Sequence, residues 1–342
     1  MERCAEDKSV IQLNQSKLVD RFNRHLNYLR LSITDRCNLG CVYCAPDACL
    51  PKLPQAEILT YEEIIRLVNI GIRLGITKVR ITGGEPLVRK GVYAFLGQLT
   101  QLKGLQDVSL TTNGILLKDH IEKIKSAGIK RLNISLDSLS RKKFQKITGR
   151  DGFPQVWEGI ELAREAGFRP IKLNIVVLKG INDDELTDFA KLSFTHPYHI
   201  RFIEYMPIGR ARVTMGQNLL VPQIKKRIQT LGKLMPVQKE MQEGPAERFK
   251  FDAAVGEIGF IRPISHHFCS TCNRLRLTAD GRLRTCLLSE EQFDLKKPLR
   301  SGCSDQEISE HMRDAVSHKP LKHNLASNQS SGVSGQMSAI GG

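Results

Sequence analysis

Nowhere in the 342-residue chain does an apolar run approach the roughly 18 residues that a membrane-spanning helix requires, so none is expected. The opening MERCAEDKSV lacks the apolar segment of a secretion signal, and Glu2, Glu6 and Asp7 make it too acidic for an Arg-rich transit peptide. Aromatic residues are scarce, 6% with a single Trp, which leaves little for the stacking platforms of single-strand nucleic-acid binders. Acidic residues number 36 against 51 Lys and Arg, a balance of +15 that favours an anionic partner: nucleic acid, an acidic membrane surface or a phosphorylated small molecule. The nine cysteines are an odd number, so they cannot all pair internally. With no secretion signal, a cytoplasmic location is expected, with thiolates kept for metal or catalysis. No internal repeat of fixed period is present. Hydrophobic residues at 41% and charged residues at 25% describe a globular protein of about two domains.

What is there begins with a regular alternation of strands and helices. Strand-like runs occur at Tyr28–Thr34, Lys78–Thr82, Asp107–Thr112, Arg131–Leu136, Ile171–Val177 and Ile200–Tyr205. Thr60-Tyr-Glu-Glu63 is a capping box opening a helix whose Ile64, Leu67, Val68 and Ile72 share one face. Later helices close at Gly75, Gly128 and Gly167. Strands alternating with helices imply βαβ units and a parallel sheet or barrel.

Buried parallel strands ordinarily read as continuous apolar runs. Here Arg30, Ser32 and Thr34 alternate with Leu29, Leu31 and Ile33, and Arg80 and Thr82 with Val79 and Ile81. Ser109, Thr111, Asn133, Ser135, Lys172 and Asn174 continue the pattern on later strands. Because side chains alternate faces along a strand, the apolar faces meet the helices and the polar faces point inward. A polar, basic interior calls for an enclosed anionic ligand. The alternative is an antiparallel sheet with one solvated face, which the well-formed intervening helices disfavour.

Two cysteine sets stand out, the first just after the first strand. Cys37-Asn-Leu-Gly-Cys41-Val-Tyr-Cys44 places three thiolates within eight residues, enough to hold an iron–sulfur cubane with one iron left open for a small molecule. A zinc site completed by Cys49 is the alternative. The second set is Cys269-Ser-Thr-Cys272 with Cys286, which a hairpin turning at Asp280-Gly281 brings alongside. Here a cluster competes with zinc completed by His266, His267 or Cys303. A zinc-bearing nucleic-acid-binding protein is therefore the competing functional class. Few aromatics and inward-facing basic residues weigh against it. Cys4 lies in the polar lead-in and is read as incidental.

The first set, with an aromatic before its last cysteine, resembles the hallmark of radical S-adenosylmethionine (SAM) enzymes, and Thr82-Gly-Gly-Glu-Pro86 resembles their motif for the methionyl end of SAM. Within that superfamily the chain resembles the GTP 3′,8-cyclase family of molybdenum cofactor biosynthesis. The resemblance runs from about Arg21 to the end and is carried by Ser32–Cys37, Lys78–Pro86, Leu110–Gly114, Asn133–Asp137, Phe202–Pro207, Cys269–Leu277 and the terminal Gly341-Gly342. Ala45 stands where the family often has Met, and Cys49 lies outside its pattern.

The resemblance implies an α/β fold: an incomplete six-unit (β/α) barrel of TIM type with a C-terminal β-containing extension carrying a second cluster. The expected divisions are a lead-in at 1–24, the barrel at 25–215, the cluster-binding region at 216–324 and a tail at 325–342. It further implies two [4Fe-4S] clusters, on Cys37, Cys41 and Cys44 and on Cys269, Cys272 and Cys286, with SAM as cofactor. Tyr43, Gly84, Ser135 and Met206 would contact SAM, while Arg30, Arg80, Thr111, Lys172, Arg274, Leu275 and Arg276 would contact GTP. The implied partners are GTP, a reductant such as flavodoxin or ferredoxin, and cyclic pyranopterin monophosphate synthase downstream, with a monomer or homodimer and neither membrane nor nucleic acid. The Gly341-Gly342 tail would reach the active site. Another radical SAM enzyme, with an auxiliary cluster and a peptide or different nucleotide as substrate, is the nearest alternative.

Overall fold

Thr60 caps the first long helix as its sequence predicts: its hydroxyl accepts from the Glu63 amide at 3.2 Å while the Glu63 carboxylate accepts from the Thr60 amide at 2.7 Å. That helix, Tyr61–Arg73, buries Ile64, Leu67, Val68 and Ile70 against the sheet, each worth about 1.5–3 kcal/mol when fully removed from water. It ends at Gly75 with φ of 93°, a backbone state glycine takes without a Cβ penalty. The computed structural model describes residues 17–44, 52–206, 208, 218–238, 244–323 and 337–340.

Six strands run parallel in chain order: β1 (Tyr28–Ser32), β2 (Lys78–Thr82), β3 (Asp107–Thr112), β4 (Arg131–Ser135), β5 (Ile171–Val177) and β6 (Tyr198–Glu204). Helices Tyr61–Arg73, Val92–Thr100, Leu117–Ser126, Arg141–Thr148, Phe153–Glu165 and Leu186–Thr195 connect them. The fold is mixed α/β, as expected, but the sheet extends further than the sequence indicates. Beyond β6 come β7 (Leu234–Pro236), β8 (Glu247–Phe251) and β9 (Glu257–Ile261), an antiparallel set whose β9 returns parallel to β6. At the other side β10 (Arg274–Leu277), β11 (Arg282–Arg284) and β12 (Phe293–Asp294) form the expected hairpin and one strand more, and β10 docks parallel on β1. The order is β12-β11-β10-β1-β2-β3-β4-β5-β6-β9-β8-β7.

The sheet curls, so that side chains from β1 to β6, β9 and β10 all line one cavity. The apolar faces, with Leu29, Leu31, Val79, Ile81, Leu132 and Leu173 buried, meet the helices in a single core. Arg30, Arg80, Thr111, Ser135 and Asn174 turn to the concave side, as the alternation implies. Residues 17–24, expected as polar lead-in, pack onto the body: Leu18, Asp20 and Arg24 are buried and the Leu18 amide donates to the Leu74 carbonyl at 2.9 Å. Helix Asp305–Ser317 is fastened to helix Tyr61–Arg73 by Asp305, which receives Arg66 at 2.8 Å and Arg73 at 2.6 Å. No helix among the described residues is long and apolar enough to cross a membrane.

Candidate functional site

Two glycines at the end of β2 bring it against the loop that carries the first cysteines. The Gly84 amide donates to the Thr34 carbonyl at 2.8 Å and the Glu85 amide to the Arg36 carbonyl at 2.8 Å. A Cβ on Gly84 would lie 2.2 Å from the Arg36 oxygen, so no larger residue fits there without parting the two segments. On its other side the loop is pinned to the end of helix Arg141–Thr148, with Gly40 donating to Thr148 at 2.8 Å and Val42 to Ile147 at 2.9 Å. Asn113, after β3, donates to Asn38 Oδ1 at 2.7 Å and approaches Cys37 Sγ at 3.7 Å.

Two buried carboxylates brace this cradle. Glu85 is fully buried and accepts from the Leu87 amide at 3.0 Å, Thr112 Oγ1 at 3.0 Å and the Asn113 amide at 2.7 Å, joining the ends of β2 and β3. Burial raises it to about 7 against the pull of those three bonds. Asp137 accepts from Tyr43 Oη at 2.6 Å and from the Val176 amide at 2.8 Å, which ties the cysteine loop to β5. Burial lifts it to about 6 despite those bonds. Asn182 locks the corner by donating to the Asp137 carbonyl at 2.7 Å.

The thiols of Cys37, Cys41 and Cys44 are half-buried and near enough to feel one another. Cys41 is pushed well above the usual thiol range by burial, then by Cys44, Asp137 and Cys37; Cys37 is raised by burial, with Glu85 adding to the effect. As thiolates these groups would repel one another, a cost that a shared cationic iron–sulfur centre relieves, so the donor chemistry suits a cluster. Cys49 lies outside the described residues.

The second set stands across the cavity. A short turn at Cys269–Thr271 brings the Cys272 amide to the Cys269 carbonyl at 3.1 Å, and Cys286 follows β11, whose Arg284 lies opposite Arg276 of β10. Among the alternative ligands, His266 is exposed and Cys303 is partly buried against the apolar core, where its carbonyl accepts from Arg66 at 2.6 Å; neither lines the cavity. His267 does line it. The surroundings are cationic. Burial opposes ionisation of Cys272, but Arg274 and Lys319 outweigh it and bring this thiol down to about 6. The first set faces carboxylates; the second faces cations.

Between the sets lies a cavity of about 290 Å³. Of the residues picked out in sequence, Arg30, Tyr43, Cys44, Arg80, Gly84, Thr111, Ser135, Met206, Cys269, Cys272, Arg274, Arg276 and Cys286 line it. Leu275 does not: it is fully buried in the apolar core, because alternation along β10 turns it away from Arg274 and Arg276. Lys172 lines a second space of about 460 Å³ that shares Arg80 and Arg201 with the first and adds Lys78, Lys130 and Arg131. Tyr28, Lys78 and Arg201 belong to the basic lining but were not picked out in sequence, although each sits on the polar face of its strand.

Asp107 pairs with Lys78 at 2.9 Å and with Arg131, but cations still outnumber carboxylates along this lining and repel one another. Burial, then Arg276 and Arg80, push Arg30 well below the usual guanidinium range, and burial with Arg274 brings Arg276 to about 9. Lys172 falls to about 6 through burial and then Arg201, Arg131, Arg80 and Lys78. The Tyr28, Thr111 and Thr285 hydroxyls, all lining the cavity, are buried without a hydrogen-bond partner among the described residues. Buried donors of this kind need a ligand to satisfy them. Gly341-Gly342 lies outside the described residues, but Met337 of the short helix Met337–Ile340 reaches the cavity.

A partial barrel with a three-cysteine loop after β1 and a Gly-Gly-Glu turn after β2 defines a radical SAM protein, and the family model described as Radical SAM superfamily matches residues 31–193. The model described as Molybdenum Cofactor Synthesis C matches residues 198–325. The chain is 50% identical over 303 residues to GTP 3′,8-cyclase of Thermodesulfovibrio yellowstonii, covering 88% of this chain and 94% of that protein. It is 45% identical to the Heliobacterium modesticaldum protein of the same name, covering 95% and 100%. The chain belongs to the GTP 3′,8-cyclase family. Its fold is also shared by Streptococcus suis SuiB, solved bound to S-adenosylmethionine, at TM-score 0.60 and 14% identity over 90% of this chain and 71% of that one. Membership in the superfamily brings with it one [4Fe-4S] cluster and SAM.

Proposed function

We propose that the chain binds GTP in the cavity between its two cysteine sets and cyclises it to (8S)-3′,8-cyclo-7,8-dihydroguanosine 5′-triphosphate, the first step of molybdenum cofactor biosynthesis. When bound, the cluster and SAM would supply a 5′-deoxyadenosyl radical to take the C3′ hydrogen of GTP; closure of C3′ onto guanine C8, with one electron from a reductant and one proton delivered to the ring, then gives the 7,8-dihydro product. Cys37, Cys41 and Cys44 would hold the first cluster, and Tyr43, Gly84, Ser135 and Met206 would surround SAM. Gly84 lets the backbone approach closely, and Asp137 fixes the ring of Tyr43. Cys269, Cys272 and Cys286 would hold a second [4Fe-4S] cluster against the guanine, with Arg274 and Arg276 beside it.

The triphosphate would lie toward the basic end, where Arg80 and Arg201 join the two spaces and Lys78 and Lys172 continue beyond them. Guanidinium groups can grip phosphate bidentately and ammonium groups add compact charge. The enclosing walls keep water from the radicals and hold C3′ in reach of SAM. The observation that carries the reading is this row of buried cations, lowered in pKa by burial and by one another, running from the second cysteine set to Lys172. A flavodoxin- or ferredoxin-like reductant would feed the first cluster, and cyclic pyranopterin monophosphate synthase would take the product; the chain acts in the cytoplasm as a monomer or homodimer. The test is anaerobic turnover. Reductant, SAM and GTP together should release 5′-deoxyadenosine and a cyclised nucleotide, and a fully clustered protein whose 5′-deoxyadenosine release ignores GTP would overturn the reading.

A further inference from the structure

Lys319 follows the last long helix and belongs to no motif, yet it is only 2% exposed. Its Nζ donates to the Arg274 carbonyl at 3.0 Å and to the Thr285 carbonyl. Those carbonyls stand two residues after Cys272 and one before Cys286. The lysine thus clasps the two legs of the hairpin from which these cysteines project. Burial lowers the pKa of its ammonium and Arg24 and Arg274 nearby add to that, while thiolates at Cys272 and Cys286 oppose it.

The third cysteine is tied to the same segment. Arg24, paired with Asp20 at 2.6 Å, donates to the Cys269 carbonyl at 2.6 Å and to the Pro320 carbonyl at 2.8 Å. Residues 319–320 therefore sit at the junction of all three cysteine-bearing segments. A buried ammonium is expensive unless an anionic group compensates it. Three thiolates sharing one cluster are such a group.

We propose that Lys319 is the positioning residue of the second cysteine set, fixing Cys272 and Cys286 for a shared cluster and supplying the positive charge that lets their thiolates crowd together. The inference rests on the second-cluster reading above, and iron counting separates the two. The anaerobically reconstituted full chain should hold about eight irons, four per cubane. Lys319→Met should hold about four, bind SAM within about twofold of the parent because its first set is untouched, and place any residual second cluster at a more negative midpoint potential, since removal of a cation disfavours the reduced form. Lys319→Arg, which keeps the charge, should recover most of the lost iron. Full iron with an unmoved potential in Lys319→Met overturns the proposal, as does loss of both clusters, which would mark a general scaffold residue. A parent chain holding only about four irons overturns the second-cluster reading itself.

Discussion

Lys172 is the residue at which chemistry and environment are most at odds. Burial and four neighbouring cations bring it to about 6, so at pH 7.5 the ligand-free protein holds it largely neutral. A phosphate at its Nζ restores the charged form, so its pKa rises on binding. GTP binding should therefore take up a proton, and affinity should fall as pH rises above about 6, by up to about tenfold per unit from this group. Calorimetry at pH 7.5 in two buffers of different ionisation heat measures the uptake; identical heats would remove Lys172 from the phosphates. Lys172→Met should abolish the uptake and raise KM for GTP about ten- to a hundredfold, the worth of about 1.5–3 kcal/mol for a charge-assisted bond, with SAM binding unchanged. Lys172 and Arg80 were legible because they interrupt an apolar alternation. Lys78 and Arg201 obey the same alternation and could have been read with them. Lys319 could not, because its meaning comes from two carbonyls 45 and 34 residues away in the chain.

At the scale of the element, two glycines distinguish close approach from mere helix weakening. Gly84→Ala would force a methyl to within 2.2 Å of the Arg36 carbonyl, and backbone cannot swing aside as a side chain can. It should lower stability by about 1–3 kcal/mol and strip iron from the first set while leaving the second loaded, read by thermal melting and iron count. Gly97, inside helix Val92–Thr100, meets nothing within 4 Å. Gly97→Ala should stabilise the protein by about 0.5–1 kcal/mol with turnover unchanged, and a destabilised variant would show that the helix needs flexibility there. The six central strands were legible to within two residues at either end because polar and apolar faces alternate sharply along them. The docking of β10 on β1 and of β9 on β6 was not. Those pairings join segments distant in sequence, and a short strand such as Arg274–Leu277 carries the same pattern whether its partner is a hairpin or a barrel edge.

For the whole molecule, the sheet's two flanks matter as much as its centre. The cavity is built from β1 to β6 together with β9 from one flank and β10 from the other, so a ligand reaching from Arg276 to Lys172 bridges regions that the chain connects only through long excursions. The flanks rest on few inter-strand contacts at their margins, where β12 has two residues and β7 three. Such edges open more readily than a core strand such as β3. Hydrogen exchange of the clustered protein with SAM bound, with and without GTP, should therefore slow in two separated places: the β10–β11 hairpin with its cysteine loop, and the stretches of β5 and β6 that carry Lys172 and Arg201 at the basic end. Because a ligand at one hundred times its dissociation constant adds about 2.7 kcal/mol to the folded state, protection at these sites should deepen by up to about a hundredfold wherever local opening expels GTP. Protection confined to the hairpin would place the whole nucleotide against the second cysteine set and leave the basic end beyond Arg80 to another anion.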